Sequence, residues 1–235
     1  MIGIFDYGVG NLLNLKNAID HLGLENCIVQ NSDQLESCSR MLLPGVGAFA
    51  PAMEHLRGSG MFKRLQEKVE SGMPLLGICL GAQLLLEESS EDGKCRGLGW
   101  IPGKVRRFQH SLKVPQIGWN QVQFQQKDQI FKKLRSSSYF YFVHSYFMEP
   151  ETGDMVLGIT DYGHEFASVV HRDNLWGVQF HPEKSQQAGL DLLRNFCTWK
   201  AHADFPCMIH LNLLLNNLKR KHHYGIGTNP IHHQT

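Results

Sequence analysis

The N-terminal part of the chain alternates short apolar runs with longer amphipathic ones, and this alternation restricts the fold more than any other feature. The runs 2–5 (IGIF), 26–30 (NCIVQ), 40–43 (RMLL) and 74–78 (PLLGI) read as strands, and the stretches near 11–22, 48–70 and 81–88 read as helices. A helix between two strands returns the chain to the starting end of the sheet, so consecutive strands lie parallel under helices on both faces. From about residue 99 the runs KVRRF, YFYFV, MVLGI, FASVV and LWGVQF follow one another through short connections, which suits antiparallel hairpins. The expectation is α/β: a central, mostly parallel sheet with helices on both faces and an antiparallel extension. A helix over 186–199 (QQAGLDLLRNFCTW) closes it, and 235 residues fill one large domain without requiring a second.

Residues 201–235 differ from the rest. They hold six of the thirteen histidines and three basic residues, Lys219, Arg220 and Lys221, against the single acid Asp204. Leu211, Leu214, Leu215 and Leu218 recur at the spacing of one helical stripe, in a stretch too interrupted by Asn and His to span a bilayer. The reading is a domain over 1–200 followed by an appendage with a short helix and a His-rich end. The HH pairs at 222–223 and 232–233 leave metal binding as the other reading of that end.

Charge removes two classes of partner. With 23 Lys and Arg against 22 Asp and Glu, the chain has no basic footprint for nucleic acid or a membrane surface, and small molecules and proteins remain. The opening MIGIFDYG lacks a basic n-region and carries Asp6, so it does not read as a secretory signal, and a cytosolic location is expected. Cysteines 27, 38, 79, 95, 197 and 207 show neither a CxxC pair nor metal-ligand spacing, so most act as small apolar residues in a reducing compartment.

One of them needs another explanation. In GICLGAQ (77–83) an apolar strand pattern turns into a helical one at a cysteine between two glycines. A strand reversing sharply into a helix strains its corner residue, and small neighbours two positions either side let strand and helix pass closely. A thiol at that corner meets a helix N-terminus, whose open N–H groups and positive dipole end favour thiolate. The amide of Leu80 is then open to a developing oxyanion. Five residues are a weak pattern, and a cysteine that only packs a tight turn would look the same.

A cysteine hydrolase also needs a base and a group to orient that base. Among thirteen histidines, His181 stands at the end of the strand LWGVQ in FHPE, with Glu183 two residues on. In extended backbone, residues i and i+2 project to one side, so the carboxylate could bond one ring nitrogen while the other faces the thiol. In LLPGVGAF (42–49) a strand ends in a Gly-rich turn. Gly45 and Gly47 permit backbone that aims an N–H from Val46 or Gly47 into a pocket as a second oxyanion donor. The GK[ST] ending of a phosphate-binding loop is missing.

Together PGVGAF, GICLGAQ and GVQFHPEKSQ resemble the class I (triad-type) glutamine amidotransferases. DYGVGN (6–11), GLGWIPG (97–103), VPQIGWN (114–120) and YFVHSY (141–146) narrow the resemblance to the glutaminase subunits of imidazole glycerol phosphate synthase, from residue 1 to about 199. The resemblance implies a flavodoxin-like three-layer fold, no cofactor or metal, and a triad of Cys79, His181 and Glu183. It implies an oxyanion hole from Leu80 and the Val46–Gly47 turn, with L-glutamine held near Gly47, Gln83, His144, Ser145 and Tyr146. Hydrolysis would give L-glutamate and ammonia. The ammonia would pass to a (β/α)₈ cyclase in a heterodimer, making imidazole glycerol phosphate and AICAR in histidine biosynthesis. Tyr7, Asn11, Asn14, Gln116, Trp119 and Asn120 are the expected interface. Asn14 and Gln116 depart from the family, which commonly has serine and histidine there. A sugar-modifying synthase as the client, a non-catalytic binding subunit and a cysteine peptidase or esterase are the competing readings.

Overall fold

The computed structural model describes residues 1–91 and 93–199. The Leu211–Leu218 stripe, the HH pairs and the boundary near 200 lie outside the described residues. Five strands form the parallel centre of one mixed sheet: β1 (Ile2–Phe5), β2 (Asn26–Val29), β3 (Arg40–Gly45), β4 (Leu75–Cys79) and, from the far end of the sequence, Leu175–Val178. They run in the order β2, β1, β3, β4 and then that last strand. The chain therefore leaves β1 towards β2 and returns to the other side at β3, a reversal of strand order that opens a crevice at the carboxyl ends.

Each central strand divides its side chains between two cores, as a sheet covered on both faces must. Ile2, Ile4, Leu42, Leu76 and Ile78 face one core, closed by α1 (Leu12–His21) with Leu15 and Ile19 and by the C-terminal helix Gln186–Thr198 with Leu192, Leu193 and Phe196. Phe5, Met41, Leu43 and Leu75 face the other, under α2 (Ser32–Ser37), α3 (Phe49–Gly58) and α4 (Phe62–Glu70). The expected three layers are present.

The remaining elements are α5 (Leu80–Leu84), β5 (Glu88–Ser89), β6 (Cys95–Arg96), β7 (Gly103–Arg107), β8 (Gln116–Phe124), β9 (Ser137–His144), β10 (Tyr146–Pro150), β11 (Val156–Asp161) and β12 (Glu165–Arg172); Leu175–Val178 is then β13 and Gln186–Thr198 is α6. β13 joins the two regimes, antiparallel to β12 and parallel to β4. Among the described residues no helix is long and apolar enough to cross a membrane.

Four details differ from the sequence expectation, each for a local reason. The 48–70 helix is two helices, because Gly60 takes a left-handed φ of 71° between them. The 81–88 helix ends at Leu84: the carbonyls of Leu84, Leu85 and Leu86 accept from the amides of Leu98, Trp100, Ile101 and Gly99 instead of from a continuing helix. α2, only six residues long with Asn31 as its N-cap, is too short for a periodic signal. β8 and β10 were not expected as strands; in β8 Gln116, Asn120, Gln121 and Gln123 break up any apolar run, and its Ile117 and Trp119 are exposed.

Arg40 locks α6 onto the sheet. Its guanidinium donates to the carbonyls of Phe196 and, at 2.7 Å, Trp199, satisfying groups that the helix end leaves open, and it lies 6.0 Å from the Phe196 ring. Arg40→Ala should lower unfolding free energy by about 1–3 kcal/mol in urea titrations. Arg40→Lys should not restore it, because an ammonium cannot serve both carbonyls with one planar fork.

Candidate active site

Cys79 is the last residue of β4 and the N-cap of α5, with φ 55° and ψ −114°. A positive φ in a residue with a Cβ is strained, and only close packing on both sides holds it. The two glycines supply that packing. A Cβ on Gly81 would lie 1.9 Å from the Leu43 carbonyl oxygen, and one on Gly77 would lie 2.7 Å from Ala82 Cα. Register puts Gly45 beside Cys79, where a Cβ would meet the Gly81 amide nitrogen at 2.7 Å. Leu80 opens α5, so its amide is among those with no acceptor inside the helix.

His181 arrives beside this corner at the end of the neighbouring strand. Its backbone amide donates to the Tyr141 carbonyl at 2.9 Å, and its carbonyl accepts from the Ser185 hydroxyl at 2.6 Å. That hydroxyl also accepts from the Tyr141 amide at 3.0 Å. The ring has Nδ1 2.9 Å from Glu183 Oε1 and stands close enough to Cys79 for the sulfur to act on its charge, while Cys79 Sγ lies 3.8 Å from the Val143 carbonyl oxygen and 3.9 Å from Gln179 Nε2. The carboxylate is reached differently from the expectation. Pro182–Lys184 form a single 3-10 turn with His181 as its N-cap, so backbone curvature rather than an extended i, i+2 pair brings the groups together. Burial disfavours the imidazolium, but the hydrogen bonds and charges of Cys79 and Glu183 outweigh it and raise the His181 pKa to about 10.

The expected residues Val46, Gly47, Leu80, Gln83, His144, Ser145 and Tyr146 line one cavity of about 320 Å³ with Cys79 and His181. Gly47 has φ 96°. Two charged residues of that wall had escaped sequence reasoning, Glu91 and Lys184. Glu91 follows the motif by an unremarkable acidic stretch, yet its Oε2 accepts from the Phe49 amide at 2.8 Å at the start of α3. Lys184 adjoins the triad inside FHPEK and lies 5.9 Å from the Tyr141 ring.

Three expected roles need correction. Gln83 does not offer its amide N–H groups to the cavity: Nε2 donates to the Tyr146 carbonyl at 2.8 Å and to Gln179 Oε1 at 3.0 Å. It ties α5 to the backbone of Tyr146 and to the buried Gln179. Tyr7 and Gln116 are buried rather than displayed at an interface, because polar atoms inside the fold claim them. The Tyr7 hydroxyl donates to the Pro44 carbonyl at 2.8 Å, and burial with the nearby Cys79 charge raises its pKa. Gln116 Oε1 lies 3.0 Å from His144 Nε2, and burial lowers the His144 pKa to about 4. Asn11, Asn14 and Trp119 are exposed and Asn120 is half-buried.

A cysteine, an imidazole and a carboxylate in line, beside a Gly-rich turn at the carboxyl edge of a parallel sheet, define a class of acyl-transfer site. Comparison with known proteins narrows it. The model of the family "Glutamine amidotransferase class-I" matches residues 3–199. The imidazole glycerol phosphate synthase subunit HisH of Moorella thermoacetica is 46% identical over 202 residues, 86% of this chain and 96% of that protein. The subunit HisH of Leptospira interrogans is 46% identical over 204 residues, 84% of this chain and all of that protein. A solved structure titled as a glutamine amidotransferase superposes with a TM-score of 0.65 at 23% identity, over 83% of this chain and 96% of the other, a likeness of fold. The chain belongs to the class I glutamine amidotransferase family, in its HisH branch.

The raised pKa of His181 sets a sign. Its imidazolium contributes stability that is fully present below the unfolded histidine pKa, about 6.5, and is lost as pH rises through about 10. In Cys79→Ala one supporting partner is gone while burial remains, so ring-nitrogen NMR should show His181 titrating below its wild-type value. An unshifted titration would show that the sulfur does not act on the ring.

Proposed function

We propose that the chain is the glutaminase subunit of a cytoplasmic imidazole glycerol phosphate synthase, with Cys79, His181 and Glu183 as its triad. The observation that carries this reading is the His181 ring held between Cys79 and Glu183 at one wall of the cavity. The Cys79 sulfur attacks the side-chain amide carbon of L-glutamine. The tetrahedral oxyanion is received by the Leu80 amide and the Val46–Gly47 turn. His181 gives its proton to the departing ammonia and then takes one from the water that hydrolyses the thioester to L-glutamate. Glu183, bonded to Nδ1, keeps the ring turned so that the other nitrogen serves the sulfur. The charges of Glu91 and Lys184 in the cavity wall complement the α-ammonium and α-carboxylate of a free amino acid, which favours glutamine over a peptide or ester.

Ammonia released into neutral water is protonated and ceases to be a nucleophile, so the product has to pass directly to a second active site. The outer surface beside the cavity suits a docked (β/α)₈ cyclase. Ile117, Trp119 and Tyr139 are exposed on the paired strands β8 and β9, and their ladder continues through Val143 into the cavity wall. Trp119 packs edge-on to Tyr141 with ring centroids 6.2 Å apart, a rigid aromatic of the kind that anchors interfaces. Asn11 and Asn14 add polar groups at the start of α1. The relatives named as HisH make the histidine-pathway cyclase the partner in this reading. The five described cysteines are all free thiols, which fits a reducing cytoplasm.

Cys79→Ala should reduce glutamate release by more than about 10³-fold while the chain still binds the cyclase, and unchanged turnover would refute the nucleophile. Trp119→Ala should weaken cyclase binding by about 2 kcal/mol, on the order of 30-fold in Kd by calorimetry. Unchanged affinity would move the interface elsewhere.

A further inference from the structure

The triad carboxylate has a second oxygen that nothing so far explains. Glu183 Oε1 serves His181, whereas Oε2 is buried without a hydrogen-bond partner, on a side chain only 4% exposed. A buried carboxylate oxygen left alone is costly, and it weakens the anchor that must fix the imidazole. A second and much smaller cavity, which shares His181 and Val46 with the substrate cavity, is lined by Glu183, Asn11, Leu15, Pro44 and Gly45. A water-sized sphere has about 10 Å³ of freedom there, close to what one water molecule needs.

Asn11 is the side chain of this cavity equipped to answer the carboxylate. Its Oδ1 is occupied, accepting from the Asn14 amide at 3.2 Å as the N-cap of α1, and this fixes the direction of the amide group. The Nδ2 group is then the end available to donate. Leu15 and Pro44 make the rest of the wall apolar, so a water in this space has few places to bond besides the Asn11 amide, Glu183 Oε2 and the backbone of Gly45 and Val46.

We propose that Asn11 is a positioning residue for the triad: its side-chain amide holds Glu183 through one water in this cavity, and so fixes the tilt of His181 towards Cys79. The inference rests on the glutaminase reading above and adds to it a residue from the DYGVGN loop. It also gives that loop a role within the subunit, next to the turn of Val46 and Gly47.

The test uses two substitutions that keep the helix cap and remove the donor, Asn11→Ser and Asn11→Asp, in the full chain with the cyclase at saturating concentration. Asn11→Ser should melt at the wild-type temperature, because it retains an oxygen for the Asn14 amide. Glutamine kcat should fall about tenfold in Asn11→Ser with KM unchanged, since an interaction acting through the triad affects the chemical step and leaves ground-state binding alone. In Asn11→Asp the added carboxylate faces Glu183 and raises the pH at which that pair ionises, so the acid limb of the kcat profile should move to higher pH, with the loss greatest on the acid side. Wild-type kcat and pH profile in both variants would overturn the inference, as would a change confined to KM or to cyclase affinity. If the unaltered chain releases no glutamate, or Cys79→Ala releases as much, the glutaminase reading itself fails, and the two failures are told apart.

Discussion

The clearance between β4 and α5 governs the structure. Strand and helix meet so closely that Gly81 has the Leu43 carbonyl where its side chain would be, and Gly77 has the helix backbone. Only this contact forces Cys79 into a positive φ and sets its sulfur at the corner rather than along the strand face. Relaxing it by one methyl group on either glycine would require β3, β4 or α5 to shift, and with them the alignment of Gly45 with Cys79. Core, turn and nucleophile therefore form one packing problem rather than three.

From that contact the rest of the site follows by strand order. β3, β4 and β13 lie side by side, so the Gly-rich turn, the cysteine and the histidine emerge from neighbouring carboxyl ends although more than a hundred residues separate the first from the last. The parallel ladder supplies the spacing, and the antiparallel strands supply the wall. Val143 of β9, with His144 at its end, lines the same cavity. The His181 backbone is fixed by both halves, through the Tyr141 carbonyl and the Ser185 hydroxyl. A substrate in this cavity would meet groups from both parts of the sheet at once.

Sequence pattern carried the elements with long apolar periodicity and the residues whose chemistry depends on local geometry. The parallel strands, α1, α6 and the positions of Cys79 and His181 were legible because glycines flank the corner and an apolar run ends at FHPE. What it could not carry were features decided by contacts distant in the chain. Gln83 looked like a substrate ligand from its helical spacing, but its partners are Tyr146 and Gln179, which no local rule brings to it. Tyr7 and Gln116 looked like loop residues for a partner, yet Pro44 and His144 draw them inside. Glu91 and Lys184 carried no spacing signal, since surface acids and lysines are common; only the cavity gives them meaning.

The two cavities beside His181 show how a small protein separates chemistry from its support. The ring lines both a cavity large enough for an amino acid and a smaller one, walled by Leu15 and Pro44, the size of a water molecule. An imidazolium stabilised to about pH 10 is a strong anchor for a neighbouring anion but a reluctant proton donor, so catalysis needs that stabilisation to fall as the thioester forms. The fall is built in. When the sulfur becomes bonded to carbon its charge disappears, one of the groups holding the proton is lost, and the ring can release it to the leaving amine. Glu183 remains throughout, and its burial prevents water from taking over its role of orienting the ring. The same logic accounts for a carboxylate screened from bulk solvent behind an open pocket: the group that must not change is kept from exchange with solvent, and the groups that must change face the substrate.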